Sequence, residues 1–144
     1  MEYSEYEKKR LNNQINWYDQ KSKAEKKWYY ILKTIQIFLS GAIPVMAGNI
    51  LKFNFLLLVI SSFSALATLL EGVLSLCKFY EKWIQYRTIA EALKREKYMY
   101  LYSAGIYDSS NIDKLKTLVE RCESLISSEN INWANMSNNK KGKK

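Results

Sequence analysis

Five residues in the middle of the chain, Ser61, Ser64, Thr68, Glu71 and Ser75, recur at intervals of three, four, three and four. On an α-helix that spacing places them on one face. A row of hydroxyls with one carboxylate can line an aqueous path when several copies assemble, and a ring of Glu71 carboxylates would favour cations. The small residues of this face also suit close packing between apolar helices, as do Ala65, Gly72, Gly41 and Gly48. Glu71 lies toward one end of its segment, where it can reach lipid headgroups or Lys78. Both readings need the same element, a helix in apolar surroundings.

Other chemistry is poorly supplied. The chain has no histidine, which removes the commonest general base, the commonest metal ligand and every His-containing triad. Cys77 and Cys122 are isolated, with no CxxC spacing. They make neither a zinc site nor, in a reducing compartment, a structural disulfide. No phosphate-binding or dinucleotide-binding glycine pattern occurs. No enzyme activity, metal or cofactor is expected. The net charge of +8 invites a nucleic-acid reading, but no binding module or basic soluble face accompanies it. Nucleic acid is therefore not expected as a partner.

The elements that position the polar face are two apolar stretches. The first runs from 31 to 51 and is interrupted only by Lys33. The second runs from 53 to 77 and carries only Glu71. Each reaches the roughly twenty residues that an α-helix needs to cross about 30 Å of hydrocarbon. A soluble bundle would need a polar face, and FNFLLLVISSFSALATLL (53 to 70) offers none beyond Ser, Thr and Asn. With Lys52, Asn49 and Asn54 between them, the stretches predict a membrane hairpin. Pro44 falls inside the first span and is a candidate kink. Trp28, Tyr29 and Tyr30 before the hairpin, with Phe79, Tyr80 and Trp83 after it, resemble an aromatic belt at headgroup level.

Charge sets the orientation. Lys21, Lys23, Lys26, Lys27 and Lys33 precede or open the first span. Lys78, Lys82, Arg87, Lys94, Arg95 and Lys97 follow the second, while the connecting loop has only Lys52. The positive-inside rule then puts both termini in the cytoplasm, with anionic lipid as the nearest partner of the basic segments. The apolar stretches begin after thirty charged and aromatic residues, so no signal peptide is expected.

Outside the spans the pattern is helical. With one proline and five glycines, an all-β fold is excluded. Residues 5 to 30 read as a helix with Leu11, Ile15 and Tyr18 in one row, and Trp17, Ala24, Trp28, Ile31 and Ile35 continuing toward the bilayer. A second helix is expected to run unbroken from about Phe53 to Ala104, with a coiled-coil-like seam of Phe79, Trp83, Tyr86, Ala90 and Leu93 and a C-cap at Gly105. Asp108 to Asn111 supply N-cap residues for a last helix over about 112–134. Its face is Leu115, Leu118, Val119, Cys122, Leu125, Ile126 and Trp133. The basic tail, 135–144, is expected to be disordered. The fold class is all-α: a two-span hairpin whose helices extend into a cytoplasmic helical bundle (78–104 with 5–30), closed by a third helix, all as one domain over 1–134. Trp17, Trp83, Arg87, Glu91, Glu120 and Trp133 are the candidate contacts of that bundle. Glu120 and Glu129 are expected to face Arg87 or Arg95. Tyr98, Tyr100, Tyr102 and Tyr107, around a helix end, are candidates for a partner surface or equally for core packing.

RLNNQINWYDQKS (10 to 22), a hairpin with a proline in its first span, WIQYRTIAEALKREKYMYLYSAGIY (83 to 107) and VERCESLISSENINW (119 to 133) together resemble the SLATT family. These are bacterial two-transmembrane effector domains that overlap a widespread domain of unknown function. The resemblance covers about residues 5 to 134 and is most specific from Trp83 to Tyr107. It implies a small inner-membrane effector that forms homo-oligomers and perturbs the membrane in an anti-phage or conflict system, in a pore-forming mode. It also implies either a separate partner, such as a nucleotide-signal sensor or another defence-system protein, or gating by the chain's own cytoplasmic bundle. The family transfers no catalytic residues. The alternative is a membrane-anchored interaction module whose cytoplasmic bundle recruits a partner without conducting.

Overall fold

The computed structural model describes residues 3–109 and 113–138, with side-chain surroundings to residue 128. Among the described residues there is no strand. The helices are α1 (Tyr3–Tyr6), α2 (Asn12–Ala47), α3 (Leu56–Cys77), α4 (Phe79–Leu101) and α5 (Lys114–Asn138), with a π-helical turn at Glu7–Leu11 and a 3-10 turn at Gly105–Asp108. The chain divides into two compact units, one of residues 1–22 with 84–144 and the other of residues 23–83.

The first unit is built on a conventional core. Leu11, Ile15 and Tyr18 from α2 and the turn before it, Ile89, Ala90 and Leu93 from α4, and Leu118 and Cys122 from α5 are buried together with Tyr6 and Tyr107. Leu93, Leu118 and Leu11 are fully buried, each contributing about 1.5–3 kcal/mol by leaving water. The apolar rows of 5–30 and of the last helix therefore meet as their spacing predicts. α5 begins at an N-cap of its own: the Asp113 carboxylate accepts from the Lys116 amide at 3.2 Å. The cap residue is thus Asp113 rather than the 108–111 run, of which 110 and 111 lie outside the described residues. α5 continues to Asn138, so 135–138 of the expected tail are helical, and 139–144 lie outside the described residues.

The second unit is an antiparallel helical hairpin. In α2 the less exposed positions include Glu25, Tyr29, Leu32, Gln36, Leu39, Ile43 and Met46, spaced alternately by four and three, with Lys33 and Ala42 beside that row. In α3 they include Leu56, Ile60, Phe63, Ala67, Leu70, Leu74 and Cys77, with the same alternation and Val59 beside it. That is a heptad seam. Trp17, Ala24, Trp28, Ile31 and Ile35, the row expected to continue toward the bilayer, are exposed. The true seam carries Glu25 and Gln36, which an apolar pattern passes over.

α2 stops at Ala47, short of the expected 51, and α3 starts at Leu56, beyond the expected 53. The connector is held by turn bonds such as Asn49 N to Met46 O and Lys52 N to Asn49 O, both 3.0 Å, and by the Asn49 amide donating to the Val45 carbonyl at 3.2 Å. Pro44 therefore sits in the last turn of α2, which stays helical through it, rather than in mid-span. The helix expected to run unbroken from Phe53 to Ala104 is interrupted at Lys78, which adopts a left-handed conformation (φ 50°, ψ 42°). Its amide still donates to Leu74 O, and its carbonyl already accepts from Lys82 N. One residue thus ends α3 and starts α4.

α4 ends at Leu101, and its cap is Ser103 (φ 48°) rather than Gly105. The Ala104 amide donates to Met99 O and the Ser103 amide to Tyr100 O, the bond pair of a Schellman motif. Gly105 has its own positive φ of 62° in the 3-10 turn that follows.

Candidate functional site

α2 and α3 are each long and apolar enough to cross a membrane. The most apolar window of each is 0% buried, so the described part of the chain leaves this apolar surface uncovered. By the rise of an α-helix, residues 31 to 47 extend about 25 Å and α3 about 33 Å. The outward surface is apolar: Ile35, Ile37, Phe38, Val45, Leu57, Leu58, Leu66, Leu69, Val73 and Leu76 are all exposed.

On this apolar body the sequence-derived polar face is one flank. Ser61, Ser64, Thr68, Glu71 and Ser75 are all exposed in the single chain. Each follows a seam position of α3, about 100° round the helix. The hydroxyls of Ser61, Ser64 and Thr68 donate to the carbonyls four residues earlier, Leu57, Ile60 and Ser64, at 2.8–2.9 Å. Ser62 does the same with Leu58. Back-bonding hides each hydroxyl hydrogen inside its own helix while leaving lone pairs outward. Glu71 neither runs free nor reaches Lys78. Its Oε2 accepts from Lys33 Nζ at 3.2 Å and from Gln36 Nε2 at 2.7 Å. The lone ionisable groups of the two apolar stretches thus pair with each other, and the pair remains substantially exposed (38% and 56% of the two side chains). The Gln36 Oε1 atom is buried with no hydrogen-bond donor.

One end of the hairpin unit is aromatic. Tyr29 meets Tyr80 at 5.5 Å between ring centroids, Tyr30 meets Trp83 at 6.0 Å, and Tyr80 meets Trp83 at 5.7 Å. Lys26 Nζ lies over both Trp83 (5.2 Å) and Tyr30 (5.9 Å). Trp83, expected in the cytoplasmic bundle, belongs to this unit instead.

The remaining bundle candidates lie in the first unit and behave differently from one another. Trp17 packs edge-on against Tyr18 (4.9 Å) and Tyr86 (5.9 Å) and is half-exposed. Arg87 pairs with Glu91 at 3.2 Å and reaches Asp19 at 4.0 Å, and Lys94 bridges the same two carboxylates at 3.8 Å (Asp19) and 3.3 Å (Glu91). Glu120 does not face Arg87 or Arg95 across the bundle. It is exposed and pairs along its own helix with Lys116 at 3.9 Å. The side chains of Glu129 and Trp133 lie outside the described residues. The four tyrosines split: Tyr107 is buried, Tyr100 packs on the core and stacks on Tyr3 at 4.6 Å, and Tyr98 and Tyr102 are exposed.

The cross-helix locks are groups the spacing did not single out. Arg121 Nε and Nη2 donate to the two oxygens of Glu96 at 2.9 and 2.7 Å, and the Tyr107 hydroxyl donates to Glu96 at 2.8 Å. Arg10 makes the same two-pronged contact with Glu123 at 3.0 and 2.9 Å. Lys97 bridges Glu7 (2.7 Å) and the Asn12 side-chain oxygen (2.9 Å). Hydrogen bonds from Arg121, with help from Tyr107, hold the Glu96 carboxyl below its usual range against the opposing effect of burial. Arg10 lowers Glu123 likewise, and Lys97 lowers Glu7. Burial pushes the Tyr107 hydroxyl upward, with Glu96 adding to it. Burial, with Glu96 and Glu123 nearby, lifts the Cys122 thiol to about 12, so it is inert as a nucleophile near neutrality. The sequence offered Arg and Glu at these places, but within charge-rich runs that read as solvated.

A shallow cleft of about 320 Å³ opens beside Glu96, Arg121, Ser124 and Leu125, with the Arg121 guanidinium already committed to Glu96. No group of three or more His, Cys, Asp or Glu suited to a metal ion occurs among the described residues.

No curated protein and no solved structure matches the chain. A family model matches residues 13–114, a span that takes in nearly all of α2 together with α3 and α4. That span is well over half of the chain, and the protein belongs to the family described as proteins of unknown function, DUF4231.

Proposed function

We propose that the protein is a two-span protein of the bacterial inner membrane that assembles with copies of itself into an ion-conducting pore and acts as a small membrane-perturbing effector. The carrying observation is the ion pair Lys33–Glu71, set on the exposed flank of an otherwise apolar hairpin. The pair lies about one to two helical turns inside the aromatic end, and charges among acyl chains favour a protein interface or a water-filled cavity, because lipid solvates them poorly. A single hairpin cannot enclose water, so the flank of Ser61, Ser64, Thr68, Lys33 and Glu71 would be completed by other copies. The lone pairs left outward by the back-bonded hydroxyls would line the path. Both termini would be cytoplasmic, as the lysines at the aromatic end and the near-neutral connector favour. The resemblance to the SLATT family supports the effector role and a trigger from a separate sensor protein.

Because Glu71 is paired with Lys33, the path would carry no net charge from this pair. This modifies the simple picture of an acidic ring. Ion flux from liposomes containing the purified protein, with its mass in detergent, tests the proposal. Flux together with a multimer is expected. A sealed bilayer around an inserted protein would contradict conduction.

A second reading, a membrane anchor that recruits a partner, is favoured by the exposed Tyr98, Leu101, Tyr102 and Ile106 at the end of α4. Exchanging the hairpin for an unrelated two-span anchor separates the readings. Cellular toxicity should vanish if the hairpin conducts and persist if it tethers.

A further inference from the structure

The aromatic end of the hairpin unit is also its basic end. Lys23, Lys26, Lys27 and Tyr30 fall on one face of α2 at intervals of three, one and three. Lys78 and Lys82 come from the returning chain. Within 23–30 and 78–83 there are five lysines against Glu25 and Glu81. Lys26, Lys27 and Glu81 are exposed, and Glu25 is half-buried. The Lys26 ammonium is not a loose surface charge: two rings hold it, Trp83 at 5.2 Å and Tyr30 at 5.9 Å. Those rings continue into Tyr80 and Tyr29. Beyond Tyr30 the helix surface becomes mainly apolar, with Lys33, Thr34 and Gln36 in its first turns. The other end of the hairpin has Lys52 with Phe53 and Phe55, whose rings meet at 6.0 Å, and no comparable charge.

We propose that this collar binds the phosphates of anionic phospholipids, with Lys26, held between Tyr30 and Trp83, as its best-ordered contact. The proposal rests on the bilayer reading above and adds the headgroup class. Three features converge on it. The charge is positive in a band one to two helical turns deep. The rings are the amphipathic types that settle at headgroup level. The apolar surface that would sit among acyl chains starts at the same height. A zwitterionic headgroup offers a phosphate but adds a cation that the lysines repel. An anionic one offers the phosphate without it. Holding Lys26 on the rings removes part of the ordering cost that a free lysine would incur on binding.

The test uses the full chain reconstituted in bilayers and reads its tryptophan fluorescence. Phosphatidylglycerol or phosphatidylcholine, each brominated in its acyl chains, is added at equal mole fraction to the other, unbrominated lipid. Trp28 and Trp83 report. Brominated phosphatidylglycerol should quench several-fold more effectively, with the preference shrinking as salt rises. In Lys26→Gln/Lys27→Gln the preference should fall toward one while quenching by brominated phosphatidylcholine is retained, which shows that the variant still inserts. Lys52→Gln, at the opposite end, should keep the full preference. Equal quenching by the two lipids in the unaltered protein, or a preference that survives the double substitution, overturns the collar and leaves the bilayer reading standing. Absence of quenching by either lipid overturns both.

Discussion

Glu96 shows how one side chain can hold several elements. Its carboxylate is nearly buried and takes three donors, two from Arg121 on α5 and one from Tyr107. The two partners are not equivalent. Arg121→Ala leaves a buried carboxylate with one hydroxyl, and breaking a buried pair in that direction costs about 3–5 kcal/mol. Glu96→Gln keeps an acceptor for Tyr107 and leaves a half-exposed guanidinium that can turn to water, for about 1–2 kcal/mol. Chemical denaturation of the two variants should show that ordering, and the reverse ordering would remove the buried carboxylate from its central role. The pH dependence follows from sign. Glu96 and Glu123 have folded values below the ordinary 4.5, so their contribution is complete above that value and is lost as pH falls through the depressed ones. Thermal stability should be insensitive to these groups between about pH 7 and 5 and decline below about pH 4, less steeply in Glu96→Gln. Gly105 is constrained by its backbone: at φ +62° a Cβ is disfavoured, and it would lie 2.7 Å from Met99 Cε. The methionine tip can move but the dihedral cannot, so Gly105→Ala should cost about 1–2 kcal/mol, with no rescue on shortening Met99.

At the scale of elements, the junction at Lys78 and the seam of α3 separate what the sequence states from what it hides. The apolar runs announce α2 and α3 because their length and lack of charge leave few alternatives. Their seams are harder to read. In α3 apolar residues surround the helix except along the row of Ser61, Ser64, Thr68, Glu71 and Ser75, which lies beside the seam rather than opposite it, so the heptad of Phe63, Ala67, Leu70 and Leu74 has little polar contrast to reveal it. In α2 the seam contains Glu25 and Gln36, and a search for apolar rows selects the outward Trp28, Ile31 and Ile35 instead. The break at Lys78 has no glycine or proline to mark it. A lysine there adopts a left-handed conformation at about 1–2 kcal/mol, which surrounding structure must offset. Lys78→Gly should therefore be neutral or slightly stabilising, and Lys78→Ile, β-branched at a positive φ, clearly destabilising. Equal melting temperatures for the two would show that the residue leaves this conformation easily. Glu120 was a reasonable candidate for a cross-helix pair by its position, but Glu123 and Glu96 took that role. Which acidic residue meets an arginine 25 or 113 positions away is decided by the packing of helices, which no local pattern encodes. Glu71 was visible as the lone charge of its segment. That it would meet Lys33, the lone charge of the other, follows from an antiparallel hairpin once its register is known.

For the whole molecule, the two units divide the physical problem. The unit of residues 1–22 and 84–144 is stabilised as soluble helical domains are, by a buried cluster from Tyr6 to Cys122 and by paired charges around it. The unit of residues 23–83 buries little, exposes large apolar side chains along both helices, and keeps one polar flank. Such a surface is stable in water only when covered, and a bilayer with neighbouring copies covers both kinds of face at once. Under the pore proposal the Lys33–Glu71 pair lies along the ion path, and each partner screens the other. The most direct measurement is the reversal potential under asymmetric salt for liposomes holding the unaltered protein, Lys33→Gln or Glu71→Gln. The unaltered protein should discriminate weakly. Lys33→Gln, which unmasks Glu71, should shift toward cations, and Glu71→Gln, which unmasks Lys33, toward anions. Conductance with an identical reversal potential in all three would place the pair away from the path and contradict the account.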